Sequence, residues 1–169
     1  MNKPIVFSLI GLLLSLIFGA AAHAADLKIG FVDAERINRE SAPAERATKK
    51  LEKEFAPREQ ELRKMEQQIK LIQGQLEKDG LTMSESDRRT KEQELGRQTR
   101  EFQRLQREFR EDLNLRRNEE LSALFERANK VIKQIAETEK YDLIIQEAVY
   151  RSTRIDITEK VIKALAADK

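Results

Sequence analysis

The fold is decided by residues 55–84, which read FAPREQELRKMEQQIKLIQGQLEKDGLTMS. Large apolar residues recur seven apart in this stretch, and two more complete the alternating three-and-four spacing of a coiled-coil seam; the members are Phe55, Leu62, Ile69 and Leu76, with Met65 and Ile72 between them. Gly80 is suited to a helix C-terminus, and Ser84 can cap a following helix. The stretch therefore predicts a long helix, a turn and the start of a second helix.

The residues after Ser84 predict a second long helix that runs back beside the first. From Phe102 onward its apolar residues recur every eleven positions, a spacing that relaxes left-handed supercoiling; the series is Phe102, Leu113, Leu124 and Ile135. We therefore expect helices over about 43–78 and 84–138, joined as an antiparallel hairpin. Ser41 can cap the first of them, with Pro43 tolerated in its opening turn. A fold at 80–83 would place Pro43 opposite Glu119–Glu120, so the later turns of the second helix must pack on another part of the chain.

One residue interrupts the first helix. Pro57 has no N–H to bond the carbonyl of Lys53, and its ring clashes with that carbonyl, at a cost of ~3 kcal/mol. A kink is therefore predicted between segments 43–56 and 57–78. The sequence leaves open whether this kink is only a bend or a hinge that lets the distal segment swing.

The two ends of the chain carry short strand-like segments. Leu27, Ile29 and Phe31 alternate with Lys28 and Gly30, which is typical of a half-buried strand. Further elements are expected as a helical turn or loop at 34–40, strands at 141–145 and 148–150, and a last helix that opens near residue 158. The predicted fold class is α+β, mainly α, with a long antiparallel coiled-coil hairpin arm that projects from a small body containing the strands.

The first 24 residues have the features of a secretory signal peptide. Lys3 precedes an apolar run over 5–18, and the small-residue sequence Ala22-His23-Ala24 follows it. The alternative is an uncleaved membrane anchor. We expect cleavage after about Ala24 and export across the inner membrane to the periplasm, and we divide the rest of the chain into a body (25–42 and 120–169) and an arm (43–119).

Composition excludes several classes of function. The chain has 32 basic and 30 acidic side chains, so the near balance of charge argues against a nucleic-acid binder. The single histidine, His23, leaves with the signal peptide, and the chain has no cysteine. Histidine-based catalysis, cysteine nucleophiles and the common zinc sites are therefore excluded, and isolated glycines give no phosphate-binding loop. We expect no enzyme activity and no cofactor or metal.

The strands of the body predict an oligomer. A sheet this small needs further strands or packing partners, and a single chain would leave apolar side chains and strand edges exposed. The residues that we expect at the interface are Ile29, Phe31, Leu143 and Ile145. The alternative is association through the arms into a longer bundle.

Basic residues form a stripe on the second helix. Arg97, Arg100, Arg104 and Arg107 follow helical spacing, and a row of glutamates one heptad apart runs beside them at Glu94, Glu101 and Glu108. This pattern is typical of intrahelical ion pairs on a solvated face, each contributing ~0.2–0.5 kcal/mol. The competing interpretation is a surface that binds anionic partners.

Several segments together resemble the Skp (OmpH-like) family of periplasmic chaperones, in the same order along nearly the whole chain after the signal peptide. They are Lys28-Ile29-Gly30-Phe31-Val32-Asp33, Leu51-Glu52-Lys53-Glu54-Phe55, Ser86-Asp87-Arg88, Tyr141-Asp142-Leu143-Ile144-Ile145 and Asp156-Ile157-Thr158. The resemblance implies a homotrimer whose strands form a central β-barrel. Three hairpin arms would then enclose unfolded outer-membrane proteins without ATP.

The resemblance directs attention to side chains on the arm that could contact such clients. The apolar candidates are Leu81, Met83, Phe102 and Phe109, although the favoured interpretation of the last two is that they fill the hairpin seam. The basic candidates are Arg88, Arg89, Arg97 and Arg104, which would attract anionic clients, anionic lipid or lipopolysaccharide in a salt-dependent way. The alternative function is a structural or adaptor coiled coil of the cell envelope.

Overall fold

The computed structural model describes residues 26–167; the predicted signal peptide lies outside the described residues. Within this range the elements follow in the order β1 (Ile29–Phe31), α1 (Ala34–Glu40), α2 (Ala42–Asp79), α3 (Glu85–Glu139), β2 (Leu143–Ile145) and α4 (Thr158–Ala167). The mainly α fold with a small strand pair is as predicted. Residues 34–40 form a helix rather than an irregular loop, because the Asp33 carboxylate accepts from the Arg36 N–H and caps its first turn.

The hairpin is bounded by the residues that the sequence indicated. The Ser41 hydroxyl accepts from the Ala44 N–H at the start of α2, where Pro43 is tolerated in the first turn. The Ser84 hydroxyl accepts from the Asp87 N–H at 3.1 Å and caps α3. Helix α2 continues through Pro57 to Asp79, so the proline does not end the helix, and its role as a hinge stays a prediction.

The predicted seam residues of α2 face α3. Phe55 and Ile69 are buried, and Leu62 and Leu76 are half-buried. At the hairpin base, Pro43 lines a small surface pocket together with Glu120, Ala123, Leu124 and Arg127, so the predicted Glu120 and the next turns of α3 lie near it. Ion pairs join the two helices, Lys50–Glu120 at 2.6 Å and Arg58–Asp112 at 2.7 Å.

The two strands are parallel neighbours in one sheet. Ile29, Gly30 and Phe31 lie opposite Leu143, Ile144 and Ile145. On its other side β1 meets the segment before α4, since the Phe31 N–H donates to Ile155 O and the Ile157 N–H donates to Phe31 O. The strand predicted at 148–150 is wrong: the described chain places no strand beside it to receive its backbone hydrogen bonds.

The hydrophobic core lies in the body, where the last turns of α3 meet α1, α4 and the start of α2. Its buried members are Val32, Ile37, Ala44, Leu124, Ala128, Val131, Ile157, Val161 and Leu165. This confirms that the part of α3 beyond the hairpin packs on the body. Each fully buried aliphatic side chain of this kind contributes roughly 1.5–3 kcal/mol. Helix α3 ends at Glu139, and Lys140, with a left-handed φ of 56°, caps it.

Candidate functional site

The four residues predicted for assembly share one face of the sheet. Residues at matching positions of paired strands point to the same side, so Ile29, Phe31, Leu143 and Ile145 lie together on the outer face. Gly30 and Ile144 lie on the opposite face, which meets the core. A Cβ added at Gly30 would lie 3.2–3.3 Å from side-chain atoms of Ile157, Ile144 and Tyr141, so this face is closely packed.

Exposure differs among the four residues of the outer face. Leu143 is 48% exposed, and Ile29 and Ile145 are half-buried. The expectation that Phe31 is exposed in a single chain is wrong, since it is only 4% exposed. The physical reason is that Arg151 lies over its ring, with Cζ 4.4 Å from the ring centroid. Sequence reasoning missed Arg151, because its contact with Phe31 joins residues 120 positions apart.

Arg151 also joins two carboxylates. Its Nη2 donates to Asp33 Oδ2 at 3.4 Å and its Nε donates to Asp156 Oδ2 at 3.2 Å. Burial alone would raise the pKa of Asp156, but hydrogen bonds from Thr158 and Arg151 outweigh burial and hold that pKa below its ordinary value. The outer face is therefore closed at one end by a charged cluster.

A short segment beside this face has backbone N–H and C=O groups without hydrogen-bond partners in the described chain. Residues 146–150, which we call the strap, make no backbone hydrogen bond within the described part of the chain. Val149 is fully exposed, and Tyr150 is 85% exposed. β2 pairs only with β1 among the described strands, so its outer edge is open as well. Free backbone groups and exposed apolar side chains at one place are typical of a surface that another chain covers.

The predicted arm contacts divide into exposed and packed residues. Leu81 lies fully exposed in the turn between α2 and α3, and Met83 is half-buried. Phe109 packs edge-on against Phe55 with ring centroids 5.5 Å apart. Phe102 is half-buried, like the other members of its eleven-residue series except Leu124, which is buried. Phe109 therefore serves the seam, whereas Leu81 is free to meet another molecule.

The arginines of the arm are paired with glutamates. Arg104 contacts both Glu101 and Glu108 at 2.6 Å, and Arg97 contacts Glu94 at 2.8 Å. The hydrogen bonds that Arg104 donates to the two glutamates raise its pKa, and the pKa of Glu101 is lowered. Nearer the tip, Arg88 pairs with Glu92 and Arg89 with Glu85. The geometry is that of an ion-pair ladder on a solvated face, and the candidates from 81 to 109 are spread along the arm rather than gathered in one site.

A groove that the sequence did not predict opens between α2 and α3 near the base of the arm. Its volume is about 670 Å³, and its apolar lining is Ala44, Ala47, Leu51, Phe55, Ala56, Phe109, Leu113, Leu121 and Leu124. The small side chains of α2 and the lack of a strong seam residue between Arg116 and Glu120 are the signal that could have indicated it. Two more exposed leucines, Leu71 and Leu115, lie on the arm helices.

No group of three or more metal-ligating side chains occurs within 26–167. Among the helices of that range, none is both long and apolar enough to cross a membrane.

Fold and site together define the class of protein: a long, ion-paired helical hairpin carried on a small α+β body that has an open sheet edge. The chain belongs to the Skp/OmpH-like family, since the family described as "Outer membrane protein (OmpH-like)" matches residues 28–165. This membership also makes the protein a non-enzymatic one, as its composition predicted.

Individual relatives agree with the family assignment. "Chaperone protein Skp" of Yersinia enterocolitica is 32% identical over 152 residues, covering 89% of this chain and 93% of the relative. The protein of the same description from Pectobacterium atrosepticum is 34% identical over 155 residues, covering 90% and 93%. The fold is similar to a crystal structure from Caulobacter crescentus described as an OmpH-like outer membrane chaperone, with a TM-score of 0.70 at 16% identity, covering 85% of this chain and 86% of the other.

Proposed function

We propose that this protein is an ATP-independent periplasmic chaperone of the holdase type, which encloses unfolded outer-membrane proteins between helical arms and prevents their aggregation before insertion. The observation that carries the proposal is the match to relatives described as Skp chaperones over about nine-tenths of the chain. The exposed Leu81 at the end of a long hairpin agrees with it, because a holdase needs apolar contacts at the reach of its arms.

The proposed assembly is a homotrimer formed through the body. The outer face of the sheet supports this proposal, because Leu143 is half exposed there and the neighbouring edge of β2 is open within the described chain. The strap supports it too, since the rest of the described residues leave Val149 fully exposed and Tyr150 largely exposed. A head-to-tail contact between such surfaces closes into a ring when the rotation between copies fits.

Clients are proposed to bind through many weak contacts rather than one tight site. Several arms around one cavity raise the effective concentration of each contact, so that weak contacts suffice to hold a client and still permit release. Leu81 and Met83 supply apolar contacts near the tip. Because Arg88, Arg89, Arg97 and Arg104 are already paired with glutamates, their attraction for anionic clients, anionic lipid or lipopolysaccharide should be modest and should weaken with salt.

The test separates assembly from client binding. Residues 57–110 are replaced by a short Gly/Ser turn, which removes the distal arm and keeps the Lys50–Glu120 and Glu54–Arg116 ion pairs at its base. The native mass should still correspond to three chains, because the body is unchanged. Suppression of aggregation of an unfolded outer-membrane β-barrel protein should be lost. An armless variant that protects the client as well as the full protein does would refute the proposed arm function.

A structural or adaptor coiled coil of the cell envelope is the second candidate, and the ion-pair ladder favours it because a passive rod needs only a solvated face. The two candidates predict different N-termini. N-terminal sequencing of the protein isolated from membrane and periplasmic fractions should find a start near Ala25 in the periplasm. A retained N-terminal segment in the membrane fraction would favour the anchored adaptor.

A further inference from the structure

The strap is held at both ends. On one side, the Val32 N–H donates to the carbonyl of Ile145 at 2.9 Å, which fixes the end of β2. On the other side, Arg151 contacts Asp33, Asp156 and the ring of Phe31. Between these anchors the five strap residues make no backbone hydrogen bond in the described chain. The strap is therefore a short segment whose path is set by its ends.

The Arg151 anchor is part of a closed ring of hydrogen bonds. The Asp33 N–H donates to Thr158 Oγ1 at 2.9 Å, and that hydroxyl donates to Asp156 Oδ1 at 2.5 Å. Arg151 completes the ring by donating to the remaining oxygen of each carboxylate. Thr158 is fully buried. The ring joins the residue that caps α1, the residue that follows the strap and the start of α4.

Removal of the guanidinium would affect the strap more than its neighbours. Asp33 and Asp156 each keep other partners, through Arg36 and Thr158 respectively. The strap has no second anchor of this kind on its C-terminal side before the turn at 152–155, where the Ile155 N–H donates to Ser152 O. Without the guanidinium between them, the carboxylates of Asp33 and Asp156 would repel each other. The ring of Phe31 would also become exposed.

We propose that Arg151 is a positioning residue for assembly: it holds the strap so that its free backbone groups, Val149 and Tyr150 meet a second copy of this chain. The inference rests on the proposed oligomer. A second copy is the occupant that fits, because the body of each copy carries both a free strap and an open β2 edge, and each lacks the backbone partner that the other provides. Ordering the strap before contact lowers the entropy cost of association.

The test compares the same substitution at two arginines in the mature full-length chain. Arg151→Met removes the charge and keeps an unbranched side chain, and Arg151→Lys keeps the charge but loses the planar stacking on Phe31. The matched control is Arg36→Met, because Arg36 is similarly half-buried and ties α1 to α4 through Glu159 without touching the strap. Mass photometry or sedimentation over a dilution series gives the concentration at which the oligomer dissociates.

We expect Arg151→Met to assemble more weakly, so that its oligomer dissociates at a concentration roughly tenfold or more above that of the wild type. The reason is that a strap residue left free must be ordered on association, and the entropy cost of ordering even one residue's backbone corresponds to about a tenfold change in the dissociation constant. Arg151→Lys should show a smaller increase, and Arg36→Met should match wild type. Hydrogen exchange of the strap amides in the assembled protein should quicken only in the Arg151 variants, which a general loss of stability would not produce.

Assembly of both Arg151 variants at the wild-type concentration would overturn the inference, and so would equal weakening by Arg36→Met. If circular dichroism shows that Arg151→Met does not fold, Arg151→Lys decides, and wild-type assembly by that variant overturns the inference. A wild-type protein that is monomeric at every concentration refutes the proposed oligomer itself. An oligomeric wild type with unaffected variants refutes only the role of Arg151.

Discussion

Replacement of Phe109 by alanine should loosen the arm without disturbing the body. The ring packs edge-on against Phe55 at 5.5 Å, and Arg58 lies 5.8 and 5.9 Å from the two ring centroids while its guanidinium pairs with Asp112. A fully buried Phe→Ala change costs about 3–5 kcal/mol. Because Phe109 is half-buried, we expect about half of this, ~2 kcal/mol of local arm stability.

Hydrogen exchange measures this loss where it occurs. A cost of ~2 kcal/mol corresponds to roughly thirtyfold faster opening of the amides around residues 50–60 and 105–115. Phe55→Ala should accelerate exchange at least as much, because Phe55 is buried, and the double variant should show a coupling of about 1 kcal/mol. Leu81→Ala is the control, because its fully exposed side chain should leave exchange unchanged. Less than threefold acceleration in Phe109→Ala would refute the seam packing and return Phe109 to the client-binding candidates.

Three further changes test the body. Ile145→Asp should dissociate the proposed oligomer, as seen by native mass, because an unpaired charge on the outer face costs several kcal/mol when it is covered; an assembled variant would mean association through the arms. Lys140→Gly should raise the free energy of unfolding by ~1 kcal/mol, because φ at this helix end is 56° and glycine adopts that conformation without strain; an unchanged thermal midpoint would contradict it. Because the pKa of Asp156 is lowered in the folded protein, its carboxylate stabilises the fold at pH values above its ordinary pKa of 3.8, and this stabilisation should disappear as the pH falls through the lowered pKa. The thermal midpoint of Asp156→Asn should therefore fall less in acid than that of the wild type; an equal fall in both proteins would contradict the prediction.

The sequence predicted the hairpin because every signal that defines it is local. Heptad spacing, the capping hydroxyls Ser41 and Ser84, and the turn around Gly80 each act within a few residues of the chain, and all three lie where they were expected. The end of α3 could also be assigned to the body, since the unequal lengths of the two helices leave its last turns without a partner in the hairpin.

The errors concern contacts between distant parts of the chain. Apolar residues at 148–150 satisfy the local pattern of a strand, but a strand also requires a neighbour, which local patterns cannot supply. Phe31 was expected to be exposed because Arg151, the residue that covers it, lies 120 positions away. The groove at the base of the arm was missed for the same reason: it arises where small residues of α2 meet a stretch of α3 that lacks a seam residue.

The distribution of buried residues fits the proposed combination of a rigid oligomer and adaptable arms in one chain. The contiguous buried core lies in the body, whereas between residues 45 and 119 only Phe55 and Ile69 are buried among the described residues. Regions with few buried contacts open at lower free energy than the core. Exposed ion pairs such as Arg104–Glu101 add little to resist opening, because solvent screens them. In the proposed chaperone, the arms would therefore rearrange around clients of different shape while the packing of the body stays intact, so client binding would not compete with assembly.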